Sequence, residues 1–293
     1  MAVRATRGVA FARAGVGHGT PAPHTRALLM DVYEPTEAGA ARRPAVILAF
    51  GGAFHRGTRD ADQYEEDGHR NTPVADYCRR LAARGLVAFA IDYRLVPEAP
   101  EPVADPVRRV RAAPPRGRID HVRALLGLPP ATDRELLDGA EAAYHDVALA
   151  CRFVHDHAAR WAVDPARLAL GGFSSGGTAA LYAAYARGAP AAALVVLSGM
   201  MAAEDIAHYV RPGGPPALLI AGERDLAGIE PAQAALAAQL RRCEIGCARY
   251  HVPGAPHFYP RTAPVQSDRA AENPGTVEDA IAAFLAGALS RDG

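Results

Sequence analysis

Gly172-Phe173-Ser174-Ser175-Gly176-Gly177 has the spacing of a nucleophile turn. Ser174 sits in a G-x-S-x-G pattern, after the apolar run Leu168–Phe173 and before a helical pattern reaching Arg187. A serine hydroxyl becomes a useful nucleophile where a sharp turn lifts it clear of the backbone. The following helix then offers its first amides to developing negative charge. Such a turn needs small flanking residues. The chain has five serines and 28 glycines, so accidental matches number on the order of 0.05, before a strand in front and a helix behind are required. The competing use is a Gly-rich turn that packs a helix or cradles a phosphate. It fits less well, because G-x-G-x-x-G is absent and the turn lies far along the chain. Ser175 is the weaker nucleophile, since Phe173 would then occupy a small-residue position.

The hydroxyl needs a base, and the base needs a group that orients it. Behind a turn of this kind the chain order runs Ser, acid, His. Two histidines qualify as base. His251 falls inside the apolar run Ala248–Val252, where the pleat fixes its side chain, whereas His257 lies beyond it in Pro253-Gly254-Ala255-Pro256-His257-Phe258. His257 is the base expected. For the acid, the run Ala217–Ala221 leads into Gly222-Glu223-Arg224-Asp225. Asp225 is the choice, Glu223 its nearest competitor, with Asp205 and Glu204 behind. The run Ala45–Phe50 leads into Gly51-Gly52-Ala53-Phe54-His55-Arg56-Gly57. Small residues there let backbone amides face a site and, with the amide of Ser175, hold an oxyanion. His55 either lines that site or hydrogen-bonds the loop, and the second reading is preferred.

The elements that must position these groups alternate. Strands are expected at Leu28–Tyr33, Ala45–Phe50, Val87–Tyr93, Leu168–Phe173, Ala193–Ser198, Ala217–Ala221 and Ala248–Val252. Helices are expected at Val74–Arg84, Ala140–Trp161, Gly176–Arg187, Pro231–Arg242 and Val277–Leu289. Alternation implies right-handed crossovers and a mostly parallel, doubly wound α/β sheet, with an antiparallel hairpin at one edge formed by the stretch up to about Tyr33. Residues 97–140 break the rhythm with Pro- and Arg-rich sequence around one short amphipathic stretch, Ile119–Leu128. Such an insertion is too long for an ordinary loop. It is read as a lid over the site in preference to a solvated surface excursion. Val122, Leu125 and Leu126 are its expected apolar face, and Arg108, Arg109, Arg111, Arg116 and Arg118 its solvated rim.

Bulk properties narrow the partners. With 293 residues and 49% apolar composition, the chain suits one α/β domain, 1–293, with a sizeable core. Thirty-two basic and 32 acidic residues balance, which supports neither nucleic acid nor an anionic membrane as partner. No apolar run approaches the ~18 residues that span a bilayer, and the N-terminus lacks the apolar segment of a signal peptide. The expected location is the cytoplasm, where Cys78, Cys151, Cys243 and Cys247 would be thiols. Cys243 and Cys247 lack the second ligand pair of a zinc site, so no metal is expected. Self-association is left open.

Taken in order, LLMDVYEP, AFGGAFHRG, AIDYRLVPE, VDPARLALGGFSSGG, AGERD and PGAPHF resemble the α/β-hydrolase fold carboxylesterases. The acetyl-esterase, hormone-sensitive-lipase-like and feruloyl-esterase-like branch is nearest, and the resemblance covers nearly the whole chain. It implies an oxyanion hole from the amides of Gly52, Ala53 and Ser175, a small-molecule ester as substrate, and no cofactor. Tyr93 and Arg94 match a structural corner of the family and carry no catalytic role. The chain departs from the family where Phe50 replaces a histidine that supports the loop, and in the Pro/Arg insertion. An amidase or arylformamidase, a thioesterase and a peptidase use the same machinery. A binding protein on a retired hydrolase scaffold is the non-enzymatic alternative.

Overall fold

The computed structural model describes residues 1–37, 41–108, 116–267 and 275–290. A nine-stranded sheet runs through it in the order β1-β2-β6-β3-β7-β8-β9-β10-β11. The first hairpin, β1 (Val3–Val16) and β2 (His24–Pro35), is antiparallel, as is the junction of β2 with β6 (Val87–Ile91). From β6 the sheet is parallel through β3 (Arg43–Ala49), β7 (Val163–Phe173), β8 (Ala193–Leu197), β9 (Ala217–Gly222) and β10 (Cys247–Val252). The two-residue β11 (Gln266–Ser267) closes the far edge antiparallel. A small separate ladder joins β4 (Glu65–Glu66) to β5 (His69–Arg70).

Strands β6 and β8 are buried along their whole length. That explains their unbroken Val/Ala/Leu runs, since a parallel strand covered on both faces has no polar side to display. The seven expected strands all form, and the hairpin lies at the edge where the sequence puts it.

Helices cover the sheet. They are α1 (Val74–Ala83), α2 (Arg116–Leu125), α3 (Asp133–Asp156), α4 (Ser175–Leu181), α5 (Ala203–Tyr209), α6 (Ile229–Arg242) and α7 (Val277–Ala288). Between β3 and β6 the chain steps one way across the sheet, and from β7 through β10 it steps the other way. Right-handed crossovers therefore put α1 and α4 on opposite faces. Ion pairs from Arg80 and Arg84 to Glu278 join α1 to α7. Tyr144 of α3 stacks on Tyr182 beside α4, with ring centroids 4.2 Å apart.

Two helices differ from expectation. α3 begins at Asp133 rather than Ala140, because Thr132 and Glu135 form a reciprocal capping box. α4 gives way after Leu181 to a π-helical turn, Tyr182–Ala186, where a single α-helix to Arg187 was expected. The reversal of strand order between β3 and β7 is the consequential feature. In open α/β sheets the crevice at such a reversal, outside the carboxyl ends of the strands, is where ligands bind.

Candidate active site

Strand β7 delivers Ser174 at the reversal point with φ 53° and ψ −120°. This left-handed region is strained for a residue with a side chain, at a cost of ~1–3 kcal/mol. The turn is held by Ser174 N donating to Leu197 O at 2.7 Å and by Thr178 N donating to Ser174 O at 2.9 Å. The flanking glycines are dictated by backbone proximity. A Cβ on Gly172 would fall 2.4 Å from Ala49 O, and one on Gly176 would fall 2.2 Å from the same oxygen.

His257 comes from the loop after β10 and Asp225 from the loop after β9. The imidazole Nε2 lies 2.9 Å from Ser174 Oγ, and Nδ1 lies 2.5 Å from Asp225 Oδ1. Three further donors surround the carboxylate. Ser198 Oγ reaches Oδ2 at 2.6 Å, Gly222 N reaches Oδ2 at 3.0 Å, and Leu226 N reaches Oδ1 at 2.7 Å. Burial pushes the Asp225 carboxyl up, but bonds from His257, Ser198 and Leu226 outweigh it and hold the group below its ordinary value. Asp225 thus presents a permanent negative charge to Nδ1.

The competing residues lie elsewhere. Glu223 accepts from Gly254 N at 2.5 Å and pins the loop that carries His257. Asp205 is buried and accepts from Tyr182 Oη at 2.6 Å. Glu204 is exposed, and His251 stays within β10, opposite Gln266.

The loop after β3 turns its carbonyls away from Ser174. Phe50 O accepts from Tyr93 Oη at 2.8 Å and Gly51 O from Tyr64 Oη at 3.2 Å. Gly52 O accepts from His55 N at 3.0 Å, and Phe54 O from Val96 N at 2.8 Å. Ala53 O lies 2.6 Å from His55 Nδ1. With the carbonyls engaged, the amides of Gly52 and Ala53 have no bonded acceptor among the described residues. Ser175 opens α4, so its amide lacks an intrahelical partner. Gly52 and Ala53 line one small cavity together with Ser174 and His257.

Sequence reasoning missed the supports of this arrangement. Phe50 packs flat on Tyr93 at 4.3 Å, and Tyr93 Oη also meets Ser175 Oγ at 3.2 Å. Tyr93 therefore braces the loop after β3 and the Ser174 turn at once. Ser198, with φ 50°, bonds Asp225 and lies 2.9 Å from Tyr259 Oη. Ser198 carries no local motif, whereas Tyr93 stands in AIDYRLVPE, a match that names a structural corner but not its contacts with Phe50 and Ser175. Arg94 grips the buried Asp146 with two bonds of 2.9 and 2.8 Å, tying the exit of β6 to α3.

The insertion reaches the cavity, with Val122 as expected but without Leu125 and Leu126. Val122 and Arg118 of α2 line it. The face that packs inward is Ile119, Val122 and Arg123, while Leu125 and Leu126 are 61% and 42% exposed. Arg123 takes the place expected of an apolar side chain because its charge is satisfied internally. Its Nε donates to Pro129 O at 2.6 Å, and its Nη1 lies 3.0 Å from Nε2 of buried His55. His55 thus bonds the loop and the insertion rather than lining the cavity. The expected solvated rim is corrected at Arg118, while the Arg116 side chain stays 39% exposed and Arg108 is half-buried. Arg116 pairs with Asp133, and Arg118 pairs with Glu66 at 2.6 Å and lies over the Phe258 ring. Arg109 and Arg111 fall outside the described residues. None of the four cysteines forms a disulfide among the described residues, and no helix among the described residues is long and apolar enough to cross a membrane.

The chain has the α/β-hydrolase fold. It matches solved structures of an esterase from the planctomycete Thermogutta terrifontis at 20% identity, with 79% of each chain covered and a TM-score of 0.56. The same esterase phosphorylated by paraoxon matches at the same identity, coverage and TM-score. A family model described as BD-FAE matches residues 138–192, the stretch holding most of α3, β7 and the Ser174 turn. A search of curated proteins returned no match. These likenesses bear out the resemblance to esterases of this fold that the motifs carry.

Proposed function

We propose that this protein hydrolyses a small carboxylic ester through an acyl-enzyme intermediate on Ser174. The observation that carries the reading is the unbroken chain from Ser174 Oγ through His257 to Asp225, at 2.9 and 2.5 Å. The chain stands beside two unbonded amides at a strand-order reversal. His257 takes the hydroxyl proton as Ser174 Oγ attacks the carbonyl carbon. The amides of Gly52, Ala53 and Ser175 stabilise the oxyanion. Asp225 holds the tautomer and faces the imidazolium. His257 then gives the proton to the departing alcohol, and the same steps with water release the acid and restore Ser174.

The cavity over Ser174 is narrow, about 10 Å³, far below the range of pockets for drug-sized ligands, and favours a compact acyl or alcohol group. Helix α2 of the insertion acts as the lid, with Val122 setting the ceiling. The esterases of the same fold support the choice of ester over amide or thioester. The protein works in the cytoplasm on a small molecule.

The test is hydrolysis of p-nitrophenyl acetate beside amide and thioester counterparts, with fluorophosphonate labelling. Ester turnover and labelling that both vanish in Ser174→Ala support the reading. Full activity in Ser174→Ala, or no turnover of any ester, overturns it.

A further inference from the structure

Arg56 lines the cavity with Ser174 and His257. Its guanidinium lies over the Tyr64 ring, 4.3 Å from the centroid. Its Nε is buried without a hydrogen-bond partner, and no carboxylate among the described residues forms an ion pair with it. Glu66, the acid whose charge acts on Arg56, is taken by Arg118 at 2.6 Å. The other arginines around the site are satisfied: Arg59 by Asp31 and Asp92, Arg118 by Glu66, and Arg123 by Pro129 O and His55. Burial pulls the Arg56 group down from its ordinary value, yet a guanidinium stays charged in proteins. A buried donor without a partner is costly, and a binding site is one place where that cost is recovered when a ligand arrives. The cation–π contact holds the planar fork in place while leaving its edge free for an anion.

We infer that Arg56 is a specificity-determining residue that selects substrates bearing a carboxylate near the scissile ester. The inference rests on the ester-hydrolase reading and deepens it. A planar fork matches a carboxylate with two parallel N–H···O bonds, and Arg56 lines the same narrow cavity as Ser174, so the carboxylate and the reacting carbonyl would belong to one compact substrate. The charge belongs to the substrate, not to the oxyanion. An arginine serving the oxyanion would aid all esters alike, whereas one serving a substrate carboxylate changes the ratio between charged and neutral esters.

The experiment uses two isosteric pairs, which place the charge on either side of the ester. Monoethyl glutarate is compared with ethyl 4-carbamoylbutanoate, and 4-carboxyphenyl acetate with 4-carbamoylphenyl acetate. The quantity read is the ratio of kcat/KM, charged over neutral, in wild type, Arg56→Met and Arg56→Lys, each shown by its melting curve to be folded. Wild type should favour the carboxylate in at least one pair by about 10- to 100-fold, the value of a charge-assisted bond. The preference should shrink with added salt, fall toward unity in Arg56→Met and survive in part in Arg56→Lys. A wild-type ratio at or below unity in both pairs overturns the inference. So does an unchanged ratio in Arg56→Met, or an equal loss on both members of a pair. If no ester turns over, the proposed function fails by itself, and charge selection is then read from calorimetric binding of glutarate to the Ser174→Ala protein. Binding that disappears with Arg56→Met supports the inference, and binding that is absent or indifferent to Arg56 overturns it.

Discussion

Asp225→Asn tests the donor arrangement around the acid, because an amide cannot satisfy all four of its neighbours. Oδ1 accepts from Leu226 N at 2.7 Å and faces His257 Nδ1, while Oδ2 accepts from Gly222 N at 3.0 Å and from Ser198 Oγ at 2.6 Å. An asparagine must turn its NH₂ toward one pair or the other. Facing Leu226 and His257, it opposes the closer backbone N–H and forces the imidazole proton onto Nε2, toward Ser174. That tautomer costs on the order of 10⁴ in rate in other triads. Facing Gly222 and Ser198, it opposes the longer backbone contact, and the Ser198 hydroxyl can rotate to accept. The geometry favours this second orientation. The tautomer then survives and only the charge is lost. The difference between a charge-assisted and a neutral hydrogen bond is ~1–1.5 kcal/mol, or about tenfold in rate.

Ser198→Ala alone leaves Asp225 three donors and should cost no more than about tenfold. Combined with Asp225→Asn it removes the acceptor that made the second orientation possible. The amide should then swing over, and the rate fall by about 10⁴, well beyond the product of the single losses. The assay is kcat/KM for p-nitrophenyl acetate on proteins with matched melting curves. Glu223→Gln is the control, since its amide oxygen can still accept from Gly254 N. A double variant that shows only the product of the single losses refutes the reasoning. So does a single Asp225→Asn already at 10⁴, or a Glu223→Gln more damaging than Asp225→Asn.

Ser174→Ala should abolish turnover with the melting temperature little changed, and removing His257 as well should cost nothing more, because the triad acts as a unit. Activity should rise with pH as His257 loses its proton, since only neutral imidazole accepts from Ser174; a steady fall from about pH 5 to about pH 8 on a stable substrate would contradict this. Val122, 1% exposed and lining the cavity, should on truncation to alanine raise kcat/KM for bulky acyl esters relative to acetyl esters; an unchanged ratio removes it from the ceiling. Asp62 is buried and its carboxyl is pushed up to about 7 by that burial, with Val74 N donating to it. A folded-state value above the unfolded one means that stability is fully present below about pH 4 and is lost as pH rises toward about 7. Relative to Asp62→Asn, wild type should therefore lose about 4 kcal/mol over that window, measured by urea unfolding at several pH values; parallel curves would show that Asp62 does not titrate there.

The strands were readable because burial on both faces leaves uninterrupted Val, Ala and Leu runs, and the Ser174 turn because backbone contacts at Gly172 and Gly176 admit no side chain. Helix α3 begins before its apolar period does because its first turns carry few apolar residues, although Thr132 and Glu135 hold the signal. The inward face of α2 was misjudged for a different reason. Periodicity counts apolar side chains, and Arg123 goes inward on the strength of partners at Pro129 and His55 that lie on other segments.

By itself the sequence determined the order of strands and helices, the strained turn at Ser174, and the succession Ser174, Asp225, His257. Each is a local matter of hydrophobic period, of small residues at a strained turn, or of a loop following a strand. Only the tertiary structure decided that the loops after β3, β7, β9 and β10 converge at one reversal of strand order, bringing Ser174 and His257, 83 residues apart, to 2.9 Å. It also decided that Ser198 and Tyr93 brace the site and that Arg56 has no ion-pair partner among the described residues. Hydrogen bonding and charge compensation between distant segments depend on where side chains meet, which sequence spacing does not encode.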